Sequence, residues 1–268
     1  MRLAGANVLV TGASGGLGEA VAIALHDRGA RLLVSGRRTE RLDALAARTG
    51  ARTLACDLTD RAAVEDLATA AGAVDVLVAN AGVPAGGPIG GHTVDEIDTA
   101  LAVNLRAPML LARLLSDGMI ARGGGHIVFM SSLAGKAASP GGAVYSATKF
   151  GLRGFALGLR EDLRDHSVGV STIFPGFISD AGMFADSGAT LPRLVGTRRP
   201  GQVARAVIEA IETGRAEIDV APFGMRVGAR LAGLAPALSA EVQRRFGAAE
   251  MSRAVTDGQA SARRRARA

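Results

Sequence analysis

The feature that most constrains this chain is a series of short apolar segments that do not alternate in polarity, each followed by a stretch with helical spacing. Asn7–Val10, Arg31–Ser35, Arg52–Ala55, Val74–Ala79, Ile127–Met130, Gly169–Phe174 and Glu217–Val220 read as strands. Helical patterns fall at about Leu17–Asp27, Thr39–Arg48, Arg61–Ala71, Val94–Arg122, Ala143–Asp165 and Gly201–Thr213. A strand that is apolar without alternation is buried on both faces, and a parallel sheet sandwiched between helices buries it that way. The pattern therefore predicts α/β architecture: one doubly wound parallel sheet of about seven strands, helices on both faces, and a C-terminal helical extension. With 268 residues, 48% of them hydrophobic, the chain can fill the core that such a sheet needs.

The sheet domain is expected over residues 1–222. Within it, Ile178–Arg199 breaks the rhythm; rich in Gly, Ser, Pro and Thr, it reads as a long substrate-covering loop. Residues 223–262 carry two short arginine-bearing amphipathic patterns, Met225–Leu234 and Ala240–Phe246. They fit an extension packed on the body or a neighbouring subunit, or a peripheral lipid-facing element; packing is the reading taken first. Residues 263–268 form a basic tail in which Arg263, Arg264, Arg265 and Arg267 supply four of the net six positive charges. The body is thus near neutral, and the tail is read as a solvated fray rather than a nucleic-acid contact.

Cys56 is the only cysteine, which rules out an internal disulfide and fits a reducing compartment. It precedes Asp57 in an apolar run and reads as a buried strand-end residue. Met1–Val10 runs straight into a strand pattern without a signal-peptide layout, and no apolar stretch reaches membrane-span length without an arginine or a proline. These observations lead us to expect a cytoplasmic protein, and no metal is assigned.

Two stretches carry chemistry. After the first strand, Thr11-Gly12-Ala13-Ser14-Gly15-Gly16-Leu17-Gly18 opens the first helix. Glycines there let the backbone approach a pyrophosphate, and the helix N-terminus offers oriented N–H groups. The second strand ends in Ser35-Gly36-Arg37-Arg38, with no carboxylate to take the adenosine ribose hydroxyls. Guanidinium groups pair with a 2′-phosphate, so NADP(H) is expected in preference to NAD(H), with Arg37 the stronger candidate and Arg38 the second. The only tyrosine, Tyr145, precedes Lys149, one of two lysines, by one helical turn. An ammonium beside a phenol favours phenolate, drawing down a pKa that is normally about 10. Equally, Tyr145 and Lys149 could be a surface pair on an amphipathic helix.

With these motifs in order, the chain resembles the short-chain dehydrogenase/reductase family from about Ala4 to Val220. The resemblance implies a Rossmann-type sheet and a nicotinamide cofactor held by Gly12, Ser14, Gly16, Leu17 and Gly18. Asp57 and Leu58 look like the family's adenine-contacting segment, and Asn80-Ala81-Gly82 matches its sheet-stabilising, cofactor-lining turn. Pro175-Gly176, with the backbone of Ile178, is similar to the segment beside the nicotinamide. Asn104, Ser132, Tyr145 and Lys149 match the catalytic set; the thirteen-residue spacing to Tyr145 favours Ser132 over Ser131. Where many relatives place threonine after Pro-Gly, this chain has Phe177-Ile178-Ser179-Asp180, which leaves that side-chain contact unassigned.

What the resemblance implies is reversible hydride transfer at a carbonyl or carbinol carbon. Tyr145 would exchange the proton, Ser132 would hold the substrate oxygen, Lys149 the ribose, and Asn104 a water. Bringing a phenol from about 10 to near neutrality needs about 4 kcal/mol of differential stabilisation. The expected partners are a mainly apolar carbonyl or alcohol, with Pro84–His92 and the 178–199 loop lining its pocket, and further copies of the chain in a homodimer or homotetramer. A cofactor-binding redox sensor without turnover, and epimerase or dehydratase chemistry on the same fold, remain open alternatives here.

Overall fold

The computed structural model describes residues 1–190, 195–245 and 248–267. Seven strands, β1 (Asn7–Thr11), β2 (Arg31–Gly36), β3 (Arg52–Ala55), β4 (Val76–Ala79), β5 (Gly125–Met130), β6 (Val168–Pro175) and β7 (Glu217–Val220), form one sheet in the order β3-β2-β1-β4-β5-β6-β7. Every pairing is parallel. The order reverses direction between β1 and β4, where a doubly wound sheet opens a crevice beyond its strand ends. The doubly wound sheet read from the sequence is therefore the observed one.

The helices before the sheet's midpoint are α1 (Gly16–His26), α2 (Thr39–Thr49) and α3 (Arg61–Ala71). After β4 come α4 (Val94–Leu101) and α5 (Ala107–Ala121), then α6 (Ala143–Asp162) between β5 and β6. The loop after β6 carries α7 (Met183–Ser187), followed by α8 (Pro200–Thr213), α9 (Phe223–Leu234), α10 (Pro236–Arg245) and α11 (Ala248–Arg267). Each face of the sheet has its own core. Val8, Val10, Val34, Val78 and Val128 pack under α1 and α8, while Leu9, Leu77, Ile127 and Phe129 pack under α3, α5 and α6. Successive strand residues thus bury opposite faces, and this two-sided burial explains why the strands are apolar throughout.

Four features depart from the sequence reading. The long pattern Val94–Arg122 is two helices joined by a π-helical turn over Ala102–Arg106. The last turn expected of Ala143–Asp165 is a separate 3₁₀ turn, Arg164–His166, that leads into Ser167 at φ 56°. The 178–199 loop holds α7. Beyond α10, the backbone is helical from Ala248 through Arg267, so the basic segment continues a helix rather than fraying from the body. Phe246, where the second amphipathic pattern was expected to end, lies outside the described residues. Cys56 is buried, as its apolar run implied; burial, then Asp57, pushes its thiol up to about 11, away from nucleophilic behaviour.

His126 on β5 is buried beside Ser171 of β6, with its Nε2 2.9 Å from Ser171 Oγ. Ser171 Oγ donates to the Arg215 carbonyl at 2.7 Å, so the imidazole Nε2–H is the donor in the pair. Burial, with smaller contributions from the N-terminal charge and Arg160, lowers its pKa to about 4. A depressed folded-state value means the unfolded chain binds the extra proton, so stability is complete above about 6.5 and falls as pH drops toward 4. We predict a loss of roughly 3 kcal/mol across that window. Urea midpoints measured from pH 7 to pH 4 should show it, with a flatter profile for His126→Gln.

Candidate active site

The crevice at the β1–β4 reversal is closed by backbone-to-backbone approach. Thr11 Oγ1 accepts from the N–H groups of Asn80 and Ala81, each at 3.2 Å, and Asn80 Nδ2 donates to the Thr11 carbonyl at 3.0 Å. Gly12 adopts φ 67°, and a Cβ on it would stand 2.7 Å from Ala81 Cα. A Cβ on Gly18 would collide with the Gly12 carbonyl oxygen. Only glycine satisfies both positions, so the first turn lies flat on the end of β4 with the α1 N-terminus facing the crevice. Ser14 is buried against Gly36, and the Arg38 guanidinium donates to the Ser14 carbonyl at 2.6 Å. With no side chains of its own at Gly12, Gly16 and Gly18, the backbone of this turn is suited to approach a pyrophosphate.

At the outer end of the crevice, Arg37 is exposed and close enough to Asp57 to help draw its carboxyl down. The larger cause is the N–H of Thr59, 3.0 Å from Asp57 Oδ1. Leu58 is buried beside it. No carboxylate stands at the end of β2, so the two guanidiniums there are suited to an anionic group.

The catalytic candidates gather around Gly82. A Cβ on that glycine would lie 3.3 Å from Asn104 Oδ1 and 3.7 Å from Lys149 Nζ. Asn104 is fully buried in the π-helical turn. Its Oδ1 accepts from Val83 N–H at 2.8 Å and its Nδ2 donates to the Val83 carbonyl at 2.9 Å. The widened turn is a common device for re-aiming a functional residue inside a helix. Lys149 is buried, donates to the Met130 carbonyl at 2.9 Å, and lies 5.7 Å from the Tyr145 ring centroid. Ser132, just past the end of β5, donates to the Pro175 carbonyl at 3.4 Å and lies close enough to Tyr145 to favour its phenolate. Ser131 instead donates to the Lys149 carbonyl at 3.2 Å, facing away from the phenol. The structure thus brings Asn104, Ser132, Tyr145 and Lys149 together at the mouth of the crevice, and Tyr145 and Lys149 are not a surface pair.

Burial pushes the Tyr145 phenol up to about 12, with the Ser132 hydrogen bond acting the other way. Burial also lowers Lys149 to about 8. The downward pull on the phenol expected from the Tyr-x-x-x-Lys spacing is not what dominates: the Lys149 ammonium is turned to a backbone carbonyl, and desolvation of the phenol is the larger effect.

The short chain dehydrogenase family matches residues 6–191. The chain belongs to that family. It is an NAD(P)-dependent oxidoreductase acting on a small molecule. The dehydrogenase is 36% identical over 228 residues to ketoacyl reductase HetN of Nostoc sp., covering 81% of this chain and 79% of that one. It is 38% identical over 178 residues to the NADP-dependent 3-hydroxy acid dehydrogenase YdfG of Salmonella typhi, covering 64% and 72%. Among solved structures, a short-chain dehydrogenase from Sphingobium yanoikuyae in complex with NADPH superposes with a TM-score of 0.75 at 27% identity, covering 87% and 93%.

The 178–199 loop covers this dehydrogenase's site, as the sequence led us to expect, but sequence reasoning missed the helix that lies across it. After Pro175, Gly176 packs on Leu133 and Ala221, Ile178 is buried and bridges to Arg198, and the chain then doubles back over the crevice. A Cβ on Gly16 would lie 2.6 Å from Ala181 Cβ, Gly182 abuts Leu17, and Met183 Cε sits beside Gly82. Helix α11 lies across this lid: Gln259 Nε2 donates to the Met183 carbonyl at 3.3 Å, and a Cβ on Gly258 would collide with the Ser187 carbonyl. The same helix reaches the pocket segment, with Thr256 Oγ1 2.9 Å from a Cβ placed on Gly86 and Ser252 Oγ 3.1 Å from one on Gly141. The available signal was the apolar-small spacing Val255–Gly258, hidden in a stretch whose arginines read as solvated.

Gly258→Leu should therefore detach α11 from α7 without disturbing the sheet. We expect amide exchange in α7 and α11 to rise at least about tenfold while β1, β4 and β5 keep their protection, as read by hydrogen-exchange mass spectrometry.

Proposed function

We propose that this dehydrogenase interconverts a carbonyl and an alcohol on a mainly apolar small molecule, with NADP(H) preferred over NAD(H) and Tyr145 as the proton donor and acceptor. The observation that carries the reading is the gathering of Ser132, Tyr145, Lys149 and Asn104 beside a glycine turn at the sheet's reversal point. Gly12, Ser14, Gly16, Leu17 and Gly18 would cradle the pyrophosphate. Asp57, Leu58, Asn80, Ala81 and Gly82 would line the adenosine side, and Pro175, Gly176 and Ile178 the nicotinamide side. When bound, the cofactor supplies or accepts the hydride.

Every other step falls to side chains. Ser132 donates a hydrogen bond to the substrate oxygen, fixing it near the phenol and stabilising charge that develops there. Tyr145, held protonated by its burial, gives its proton to that oxygen in reduction and takes one back in oxidation. Lys149 holds the cofactor ribose, and Asn104 positions the water through which the phenol is reprotonated. Arg37, helped by Arg38, takes the 2′-phosphate; relatives named for NADP and solved with NADPH support this choice. Pairing of copies through α5 and α6 is supported by the exposed Leu114, Phe150 and Leu157. The buried, lone Cys56 agrees with a cytoplasmic setting.

Tyr145→Phe should lower turnover by at least about a thousandfold in a carbonyl panel assayed with NADPH, while NADPH fluorescence titration stays unchanged. Near-normal turnover would remove the phenol from the mechanism. Arg37→Ala should weaken NADPH by roughly 10- to 100-fold and NADH hardly at all, matching the loss of one charge-assisted phosphate contact. Equal weakening of both cofactors would rule out a 2′-phosphate contact at this position.

A further inference from the structure

Helix α9 is built inside out. Met225, Ala229 and Ala232 face the body, where Met225 and Ala229 pack with Leu133, Phe174 and Ala221. The outward face is Phe223, Val227, Leu231 and Leu234, continued on α10 by Leu238. Leu234 is 83% exposed and Phe223 76%, the two highest values among the exposed large apolar side chains of the described residues. A solvated helix places its polar face outward, and single exposed apolar residues are ordinary, but five at successive helical turns form a patch.

The charge around the patch says what covers it. From Phe223 to Arg245 there are four arginines, Arg226, Arg230, Arg244 and Arg245, and a single acid, Glu241. Glu241 is already neutralised by hydrogen-bonded pairs with Arg244 and Arg245; α9 itself carries no acid, and the one acid it meets, the buried Asp219 of β7, is 3.5 Å from Arg230 and already held by Lys136. A two-fold pairing of this face with a second copy would set Arg226 and Arg230 against their own equivalents. Lipid phosphates complement them instead, with the apolar stripe sunk at the acyl boundary and the exposed guanidiniums of Arg230, Arg244 and Arg245 rising along it to the headgroups.

We propose that α9 and α10 dock this protein on an anionic bilayer surface, without crossing it. Among the described residues no helix is long and apolar enough to cross a membrane. The patch begins next to the substrate loop, where Gly196 packs on Pro222 immediately before Phe223. Docking through α9 therefore brings the loop over the crevice to the lipid surface, where an apolar substrate is concentrated. The assignment does not depend on the reaction proposed above.

The test is co-sedimentation of the full chain with vesicles of phosphatidylcholine alone and of phosphatidylcholine mixed with phosphatidylglycerol. Wild type should pellet with the mixed vesicles, and the double variant Leu231→Glu/Leu234→Glu should partition at least about tenfold more weakly. Its solution mass, thermal melt and NADPH titration should match wild type, since both side chains are exposed. The proposal is overturned if wild type fails to pellet with anionic vesicles or if the variant pellets equally. A fall in the variant's solution mass overturns it too, because a second copy would then be what covers the face. None of these readouts uses turnover, so a failed carbonyl panel leaves the vesicle result standing on its own.

Discussion

Asn80 secures the sheet at the one point where its winding reverses. Its side-chain amide donates to the Thr11 carbonyl and its backbone N–H to the Thr11 hydroxyl oxygen, both on β1. A parallel sheet has no local hairpins, so β1 and β4 meet only because of long-range packing, and their ends would be free to splay. With that junction locked, Gly12 can lie on Ala81, Gly18 can lie under Gly12, and the N-terminus of α1 is aimed at the crevice. Gly82, two residues further on, then becomes the shared neighbour of Asn104 and Lys149. The cofactor cradle and the catalytic cluster are therefore two consequences of one set of hydrogen bonds.

Around this junction the ionisable groups are governed by desolvation. Tyr145 is pushed up and Lys149 down by the same cause, so each is biased toward its neutral form. Bringing the phenol from about 12 to neutrality takes about 7 kcal/mol, against the roughly 4 needed from its ordinary value. The protein alone thus presents the acid form of the pair, ready to donate. The second lysine shows the opposite solution to burial. Lys136 is also buried, but it pairs with Asp219 at 2.6 Å and Glu217 at 3.0 Å on the edge strand β7. Two buried lysines in one chain thus have separate environments, one compensated by carboxylates and one left to chemistry.

Much of this was legible in the sequence, for physical reasons. A parallel strand buried on both faces must be apolar throughout, so β1, β4 and β5 announce themselves, and the catalytic residues sit at strand ends or one helical turn apart. The π-helical turn was not legible, because one extra residue inside Val94–Arg122 leaves the apolar spacing of both flanking helices intact. Nor was α11. Its seat includes Gly86 and Gly141, and its own Gly258 lets it close on Ser187; the closeness these glycines permit depends on segments about 70 to 170 residues apart. The direction of the Tyr145 shift was missed for a related reason: spacing places the ammonium near the ring, but only packing decides whether it points at the oxygen or at the Met130 carbonyl.

Helix α11 has a consequence for the order in which the molecule is completed. A chain emerging from the ribosome folds its N-terminal portion first. By the time β7 is made, every strand of the sheet and all four catalytic candidates have been synthesised. The helix that clamps the lid, spanning Ala248–Arg267, follows all of them. Until that helix is made, the nascent protein has its chemistry assembled behind an unfastened door. A chain lacking Ala248–Arg267 would thus keep its sheet and its four catalytic candidates but have an ungated cleft.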